Sequence, residues 1–404
     1  MWHTKKLNEV CDIQSGLWKG KKGPYTTALV LRNTNFTASG VFDYSNVVEL
    51  EVEAKQLANR EVIKNDIILE KSGGGDKTPV GRVCIHDKES KIPFSLSNFT
   101  ARIRVLDSKE LNAEFLHKFL YFLYISGKTE PMQRHSTGIR NLQLTQYKDI
   151  DVPLPPIAEQ ERIAAKLDAA FAEIDEAAEV NIKKLSLTED AFGKIVDFEL
   201  NQLNKKFQSC SLGEMLDGVQ YGTSTKCSKS GKYPVLRMGN MQFGKFILDD
   251  FVYLDDEDSF AKYKVYQGDV FFNRTNSAVH VGKAAILESD EIYLFAGYLI
   301  RLNYSRDKID GNFLNYFLNA PSIREHGFSV MTSSVNQANI NGTKLKAYPF
   351  LNIDIETQRF LSKKLKKIEY ELLQSKNLLK KILNNYTKLK SSILAQELQS
   401  SEAA

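Results

Sequence analysis

The sequence is poor in the residues that staple small folds or hold metals. Its 404 residues include four Cys, six His and ten Pro. Cys11, Cys84, Cys210 and Cys227 are scattered, with no Cys-x-x-Cys pair. That excludes a zinc ribbon and a disulfide framework, fits a reducing compartment, and leads us to expect a cytoplasmic protein. No two His stand in a His-Glu-x-x-His pattern, so no metal ligands are assigned. Long apolar runs are also lacking. Mean hydropathy is −0.33, no window approaches the ~18 apolar residues of a membrane span, and residues 1–7 lack the apolar core of a signal segment. No membrane association is expected. Charge of one sign is lacking as well: 54 Lys and Arg stand against 50 Asp and Glu, far from the bulk basicity of a non-specific nucleic-acid binder.

Catalytic motifs are missing in the same way. Gly75-Asp-Lys-Thr78 ends like a phosphate loop, but Asp76 stands where Gly is required, and Gly73–Gly75 lacks the motif's spacing. There is no Gly-x-Gly-x-x-Gly after a strand and no Gly-x-Ser-x-Gly. Pro155-Pro156 has no Asn or Asp before it and no aromatic after it, unlike an amino-methyltransferase tetrad. Asp66, Glu70 and Lys71 are in the wrong order for a metal-dependent nuclease. No catalytic residue is assigned.

What is present is a repeat. Leu31-Arg-Asn-Thr-Asn35 returns as Leu236-Arg-Met-Gly-Asn240. Val62-Ile-Lys-Asn-Asp-Ile-Ile-Leu69 returns as Val265-Tyr-Gln-Gly-Asp-Val-Phe-Phe272. Val80-Gly-Arg82 returns as Val281-Gly-Lys283, and Phe115-Leu-His-Lys-Phe-Leu120 as Phe313-Leu-Asn-Tyr-Phe-Leu318. The offset drifts from 205 through 203 and 201 to 198, as loop-length differences would produce. Each copy predicts short strands (28–31, 67–69 and 101–105; 235–238, 270–272 and 299–302), then a helix at 115–120 or 313–318, with Asp107-Ser108 and Asp310 as candidate caps.

Each copy then continues into a long helical stretch, 157–200 and 356–399. The second carries Leu361, Leu365, Ile368, Leu372, Leu379, Ile382, Tyr386, Leu389 and Ile393, spaced four and three apart and interrupted only at Ser375. That is a coiled-coil seam. The first carries Ile163, Leu167, Ala170, Ile174, Ile182, Leu185, Phe192 and Ile195. Window 157–200 holds 5 basic and 11 acidic residues; window 356–399 holds 10 and 4. Opposite charge favours pairing with each other over self-association. The expected architecture is α+β: two homologous globular heads separated by a long antiparallel two-helix coiled coil, a pseudo-twofold internal repeat. The expected segments are 1–156, 157–204, 205–355 and 356–404. About 40 helical residues at ~1.5 Å each span roughly 60 Å.

Two related heads on a spacer suit a ligand with two sites at fixed separation, and DNA has that geometry. Polar loops at corresponding places are the candidate readers. In the first head they are 71–82 and 133–143, offering Lys71, Ser72, Lys77, Arg82, Arg134, Ser136, Thr137, Arg140 and Asn141. In the second they are 273–283 and 332–339, offering Arg274, Asn276, Lys283, Ser333, Asn336, Gln337 and Asn339. Arg140 and Arg274 suit guanine edges; Asn141, Asn276 and Gln337 suit adenine edges. Lys77, Arg82, Lys283, Ser136 and Thr137 suit phosphates. Basic residues beside aromatics in 18–25 and 221–226 are weaker candidates for backbone contact.

The chain resembles the specificity subunits of Type I restriction-modification systems. Val152-Pro-Leu-Pro-Pro-Ile-Ala-Glu-Gln-Glu-Arg-Ile163 is similar to the segment opening that family's central conserved helix. Tyr348-Pro-Phe-Leu-Asn-Ile-Asp-Ile-Glu-Thr-Gln-Arg-Phe360 is a degenerate second copy that keeps Pro349 and Gln358. The repeated strands at Asp66 and Asp269 resemble those of the family's target-recognition domains. The resemblance implies a non-catalytic subunit. It would read a bipartite, asymmetric sequence in double-stranded DNA, one half-site per head, with the helices as spacer ruler. It would dock two modification (methyltransferase) subunits and, through them, restriction subunits. S-adenosylmethionine, ATP and Mg²⁺ would belong to those partners, with no cofactor in this chain. Two other readings stand beside it: a two-headed scaffold for ligands other than DNA, and a single-chain DNA-modifying enzyme. The Pro155-Pro156 entrance bars helix before it and suits a helix start after it, making a stiff joint.

Overall fold

Ile67-Ile-Leu69 is an unbroken apolar run that ends at Glu70, and all four residues are buried. A strand without alternation must be covered on both faces, and this one is. Ile67 and Leu69 pack with Leu116, Leu120 and the other core residues of helix Ala113–Ile125. Ile68 packs on the opposite side with Leu31, Cys84 and Phe94. In the computed structural model, residues 2–17, 20, 22–37, 40–75, 79–136, 139–333 and 337–399 are described, except for the side chains of His135, Ser136, Glu189 and Gln399. The chain forms two compact units: Met1–Asn181 with Lys381–Ala404, and Ile182–Lys380.

In the first unit Ile67–Glu70 lies in an antiparallel sheet, in the order Cys11–Ser15, Thr100–Val105, Ile67–Glu70, Val83–Ile85. A second sheet has Tyr25–Leu31 between Val48–Glu53 and Phe94–Leu96, the last pair parallel. His3–Lys6 pairs with Asp151–Leu154 just before the first long helix. A small polar sheet orders Gln133–Ser136, Ile139–Leu142 and Ser72–Gly74.

The second unit repeats this plan. Val270–Asn273 sits between Leu299–Asn303 and Ala284–Ile286, with Gly218–Tyr221 beyond and a hairpin, Met241–Gln242 and Lys245–Phe246, added at the far edge. Tyr233–Leu236 lies between Val252–Leu254 and Leu294–Phe295, again with one parallel pair. Ser209–Ser211 pairs with Pro349–Leu351. Thr275–Asn276, Ala338–Asn339 and Thr332–Ser333 form the small polar sheet.

The repeated motifs hold the same joints in both copies. Asn35 and Asn240 are buried, and each accepts from the backbone N–H three residues back, on Arg32 or Arg237, at 2.9 Å. Asp66 accepts from Ile63 N and from Arg104; Asp269 accepts from Tyr266 N and from Arg301. Gln160 and Gln358 are fully buried. Gln160 Nε2 donates to the carbonyls of Glu110 and Pro155 while its Oε1 accepts from Asn112 N. Gln358 does the same with Lys308, Ile353 and Asp310. These latches explain why Gln358 persists where the Pro-Pro pair does not.

The first long helix spans Ile157–Asn204 and the second Ile355–Gln399. Within each unit their segments run antiparallel. In the first, Lys166 meets Glu397 at 2.7 Å, Asp175 meets Lys390 at 2.6 Å, and Asn181 donates to Tyr386 at 3.2 Å. In the second, Glu199 meets Lys364 at 2.7 Å and Val196 and Leu200 share a core with Leu361 and Leu365. Gly193 is needed there, because a Cβ would lie 2.8 Å from the Pro321 ring, at the start of helix Pro321–Val330.

Three expectations are corrected. Asp107 does not cap helix Ala113–Ile125; Asn112 does, accepting from Phe115 N, while Asp107 accepts from Lys109 N in the preceding turn. The seam does not pass through Leu389, which is exposed: Lys390, Leu394 and Leu398 are buried there, with Ile393 half-buried beside them. Past Tyr386 the helix packs on the first unit's core as well as on its partner helix, so the buried spacing becomes four throughout. Ile182 is exposed for a related reason, its neighbour Asn181 facing Tyr386.

Candidate nucleic-acid interface

Two polar loops far apart in the first head's sequence meet in one sheet. Asn141 lies opposite Ser72 and Arg140 opposite Gly74. On the other edge Arg134 faces Asn141 and His135 faces Arg140. Ser72 Oγ donates to Asn141 Oδ1 at 2.5 Å. Gly73 takes a φ of +103°, a value that suits glycine, and leaves the strand close to the Asn33 side chain. Ser136 joins the sheet by its backbone. Lys77 and Thr137 fall outside the described residues.

The second unit builds the same sheet. Asn339 lies opposite Thr275 and Ala338 opposite Asn276. Asn339 Nδ2 donates to Thr275 Oγ1 at 2.6 Å. Ser333 is exposed on the outer strand, Thr332–Ser333. Gln337 borders the same sheet, and Asn336 falls outside the described residues. Lys71 and Arg274 hold equivalent posts. Each donates its backbone N–H to an aromatic residue's carbonyl, Phe99 or Tyr298, at 3.0 Å. Each accepts in turn from the residue after the sheet's asparagine, Leu142 or Ile340. Partial burial lowers the Lys71 pKa. Arg274 lies over the Tyr221 ring at 4.8 Å, which draws the 221–226 stretch into the site.

The two Val-Gly-basic motifs diverge. Arg82 makes a bidentate pair with buried Glu70, at 2.8 and 2.7 Å, and also donates to the carbonyls of Phe36 and Asn33. That fork holds Arg82 against its own fold and raises its pKa. In the second unit Asn273 replaces Glu70 and Lys283 replaces Arg82. Among the described residues the Lys283 ammonium makes no ion pair. Burial, and then the nearby Arg324 charge, lower its pKa.

Beside the second unit's polar sheet lies a groove of about 2340 Å³. Arg274, Asn276, Lys283, Gln337 and Asn339 line it, with Lys380 from the second long helix. The first unit has a much smaller cleft, about 290 Å³, between Lys71, Asn98 and Asn141. Sequence reading missed the contributions of Arg237, Phe243 and Tyr298 to the larger groove. Arg237 carried a usable signal, since it lies in a repeated motif. Among the described residues no group of three or more His, Cys, Asp or Glu is placed to hold a metal ion. No helix among them is long and apolar enough to cross a membrane.

Comparison with known proteins adds a family to this geometry. Residues 1–184 match the model of the Type I restriction modification DNA specificity domain. The chain is 24% identical to the specificity subunit of the Type I restriction enzyme EcoKI of Escherichia coli (strain K12), over 82% of this chain and 73% of that one. It is 22% identical to the StySPI specificity subunit of Salmonella potsdam, over 98% and 88%. In fold it is similar to a chain from a structural study of complex assembly and conformational transition in the type I R-M system. That match has a TM-score of 0.74 at 18% identity and covers 98% of this chain and 97% of the other. The HsdS subunit from Thermoanaerobacter tengcongensis matches with a TM-score of 0.56 at 17% identity. The resemblance to Type I specificity subunits thus spans the chain. Such subunits recognise DNA sequence and are non-catalytic, the catalytic activities sitting in other subunits.

Proposed function

We propose that each compact unit reads one half of a bipartite, asymmetric site in double-stranded DNA, and that the long helices set the unread spacer between the halves. The observation that carries this reading is the polar three-stranded sheet built twice, from loops far apart in sequence, with a hydroxyl–asparagine hydrogen bond across the equivalent pair in each copy, donated by the hydroxyl in the first and by the amide in the second. Arg140, Asn141 and Arg134 in the first sheet and Arg274, Asn276, Gln337, Asn339 and Ser333 in the second are the proposed base readers and their supports. Lys71, Ser72, Ser136 and Lys283 suit the phosphates. We assign Lys77, Thr137 and Asn336 to the same surface by sequence alone. Arg82 we assign to holding the fold.

The chain docks two modification subunits and, with them, restriction subunits in the cytoplasm. S-adenosylmethionine, ATP and Mg²⁺ belong to those partners. Co-purification from its host followed by methylome sequencing tests this. The expected result is methyltransferase partners and one methylated motif of two unlike halves around a fixed unspecified spacer. A contiguous motif, or no methylation attributable to the complex, would sink the reading.

A further inference from the structure

Phe243 occupies a position that its own chemistry opposes. Strands Met241–Gln242 and Lys245–Phe246 pair Met241 with Phe246 and Gln242 with Lys245, which leaves a two-residue turn, Phe243-Gly244. Such turns want positive φ at both central residues and favour Asn-Gly or Asp-Gly. Gly244 at φ +77° fits; Phe243 sits at φ +50°. A bulky residue there is an outlier. The ring also gains nothing from the fold, being 89% exposed.

The turn is nonetheless held firmly. Gly244 O accepts from Asn315 Nδ2 at 2.9 Å and from Ile286 N at 3.1 Å, and Asn315 is itself buried. A rigid base thus presents a bare aromatic ring on the wall of the groove that also holds Arg274, Asn276 and Lys283. A position that breaks a local rule without a packing gain points to function. Apolar side chains offered beside phosphate-binding cations are the wedges with which proteins unstack base steps.

Resting on the DNA reading above, we propose that Phe243 inserts between adjacent base pairs of the half-site bound by the second unit and kinks it there. By sequence the positions of the first unit that correspond to Phe243 and Gly244 are Ala38 and Ser39, which fall outside the described residues and carry no ring. The distortion is therefore confined to one half-site, and it supplies discrimination through the ease of unstacking a step rather than through base-edge hydrogen bonds.

The test uses the complex with its modification subunits and duplexes carrying its target, as read from the methylome, with 2-aminopurine placed at successive positions. The native complex should raise emission at one step of the second unit's half-site. F243A should abolish that rise and weaken binding roughly tenfold, while F243W keeps both. Phe243→Asn, which suits the turn, should raise the melting temperature yet also lose the signal. Unchanged emission in F243A with DNA still bound would overturn the wedge and leave the DNA reading standing. Loss of the modification subunits from the F243A complex would overturn it in favour of a protein contact. Failure of the native complex to bind its duplex would overturn both readings.

Discussion

Ser72 Oγ donates to Asn141 Oδ1 at 2.5 Å, closing a strand pair between residues 69 positions apart. The second unit closes the same pair with Asn339 and Thr275. Each bond holds a polar edge in one geometry, so on the proposed reading its loss should loosen one half-site and leave the other intact. N141A should relax discrimination in the first half-site, and N339A in the second, by about 1–3 kcal/mol at the affected position. Binding to duplexes with single mismatches in either half measures this, and a uniform loss across both halves would contradict it.

Arg82 and Lys283 occupy matching sequence positions but should behave oppositely. R82A strands the buried Glu70 carboxylate and should cost about 3 kcal/mol of stability, leaving the salt dependence of DNA binding unchanged. K283A should leave the fold near its native stability and lower the slope of log affinity against log salt by about 1. Urea unfolding and salt titrations separate the two.

The buried glutamines at the helix starts should be intolerant of change. Q160L or Q358L leaves two carbonyls and one N–H without their partner, at about 1–3 kcal/mol for each uncompensated group. Thermal unfolding should show a large drop in either variant, whereas substituting exposed Glu161 leaves the transition in place.

Acid should weaken the first unit through His117. Burial, then the Lys118 charge, push its pKa down to about 3, against an ordinary value of about 6.5. As pH falls through ~6.5 the unfolded chain takes up the proton first, so this contribution to stability is whole above that pH and declines toward pH 3. H117N installs the residue found at the corresponding post, Asn315, and should flatten the decline. Urea midpoints at pH 7 and 4.5 for both proteins check it.

Adding four residues to one long helix lengthens it by about 6 Å. If the helices set the spacer, methylome sequencing of that variant should return the same half-sites with a longer gap. An unchanged gap would remove the ruler.

The repeat and both long helices were legible because their signals are periodic and survive averaging over many residues. Asp310 was legible as a cap for the same reason that Asp107 misled: both are acidic residues before an apolar helix, and only the intervening turn at Leu111-Asn112 distinguishes them. The end of the seam was hidden because Lys390 looks like a solvent residue. It is buried against Asp175 and the Phe171 ring, a tertiary setting that no spacing rule contains. The Arg82–Glu70 pair was hidden in the same way. A basic residue in a polar loop looks like a phosphate ligand until Glu70, twelve positions earlier, is seen to hold it. Phe243 was illegible because one exposed aromatic has no pattern at all.

The first unit is built from two stretches of chain, and the second from one. During synthesis the second unit has all its parts once Lys380 is made. The first must wait, with the face that Leu394 and Leu398 will cover still bare, while some two hundred residues are added. Folding is therefore out of order: the head made first is finished last. Until then its open side is where a chaperone would bind or aggregation would begin.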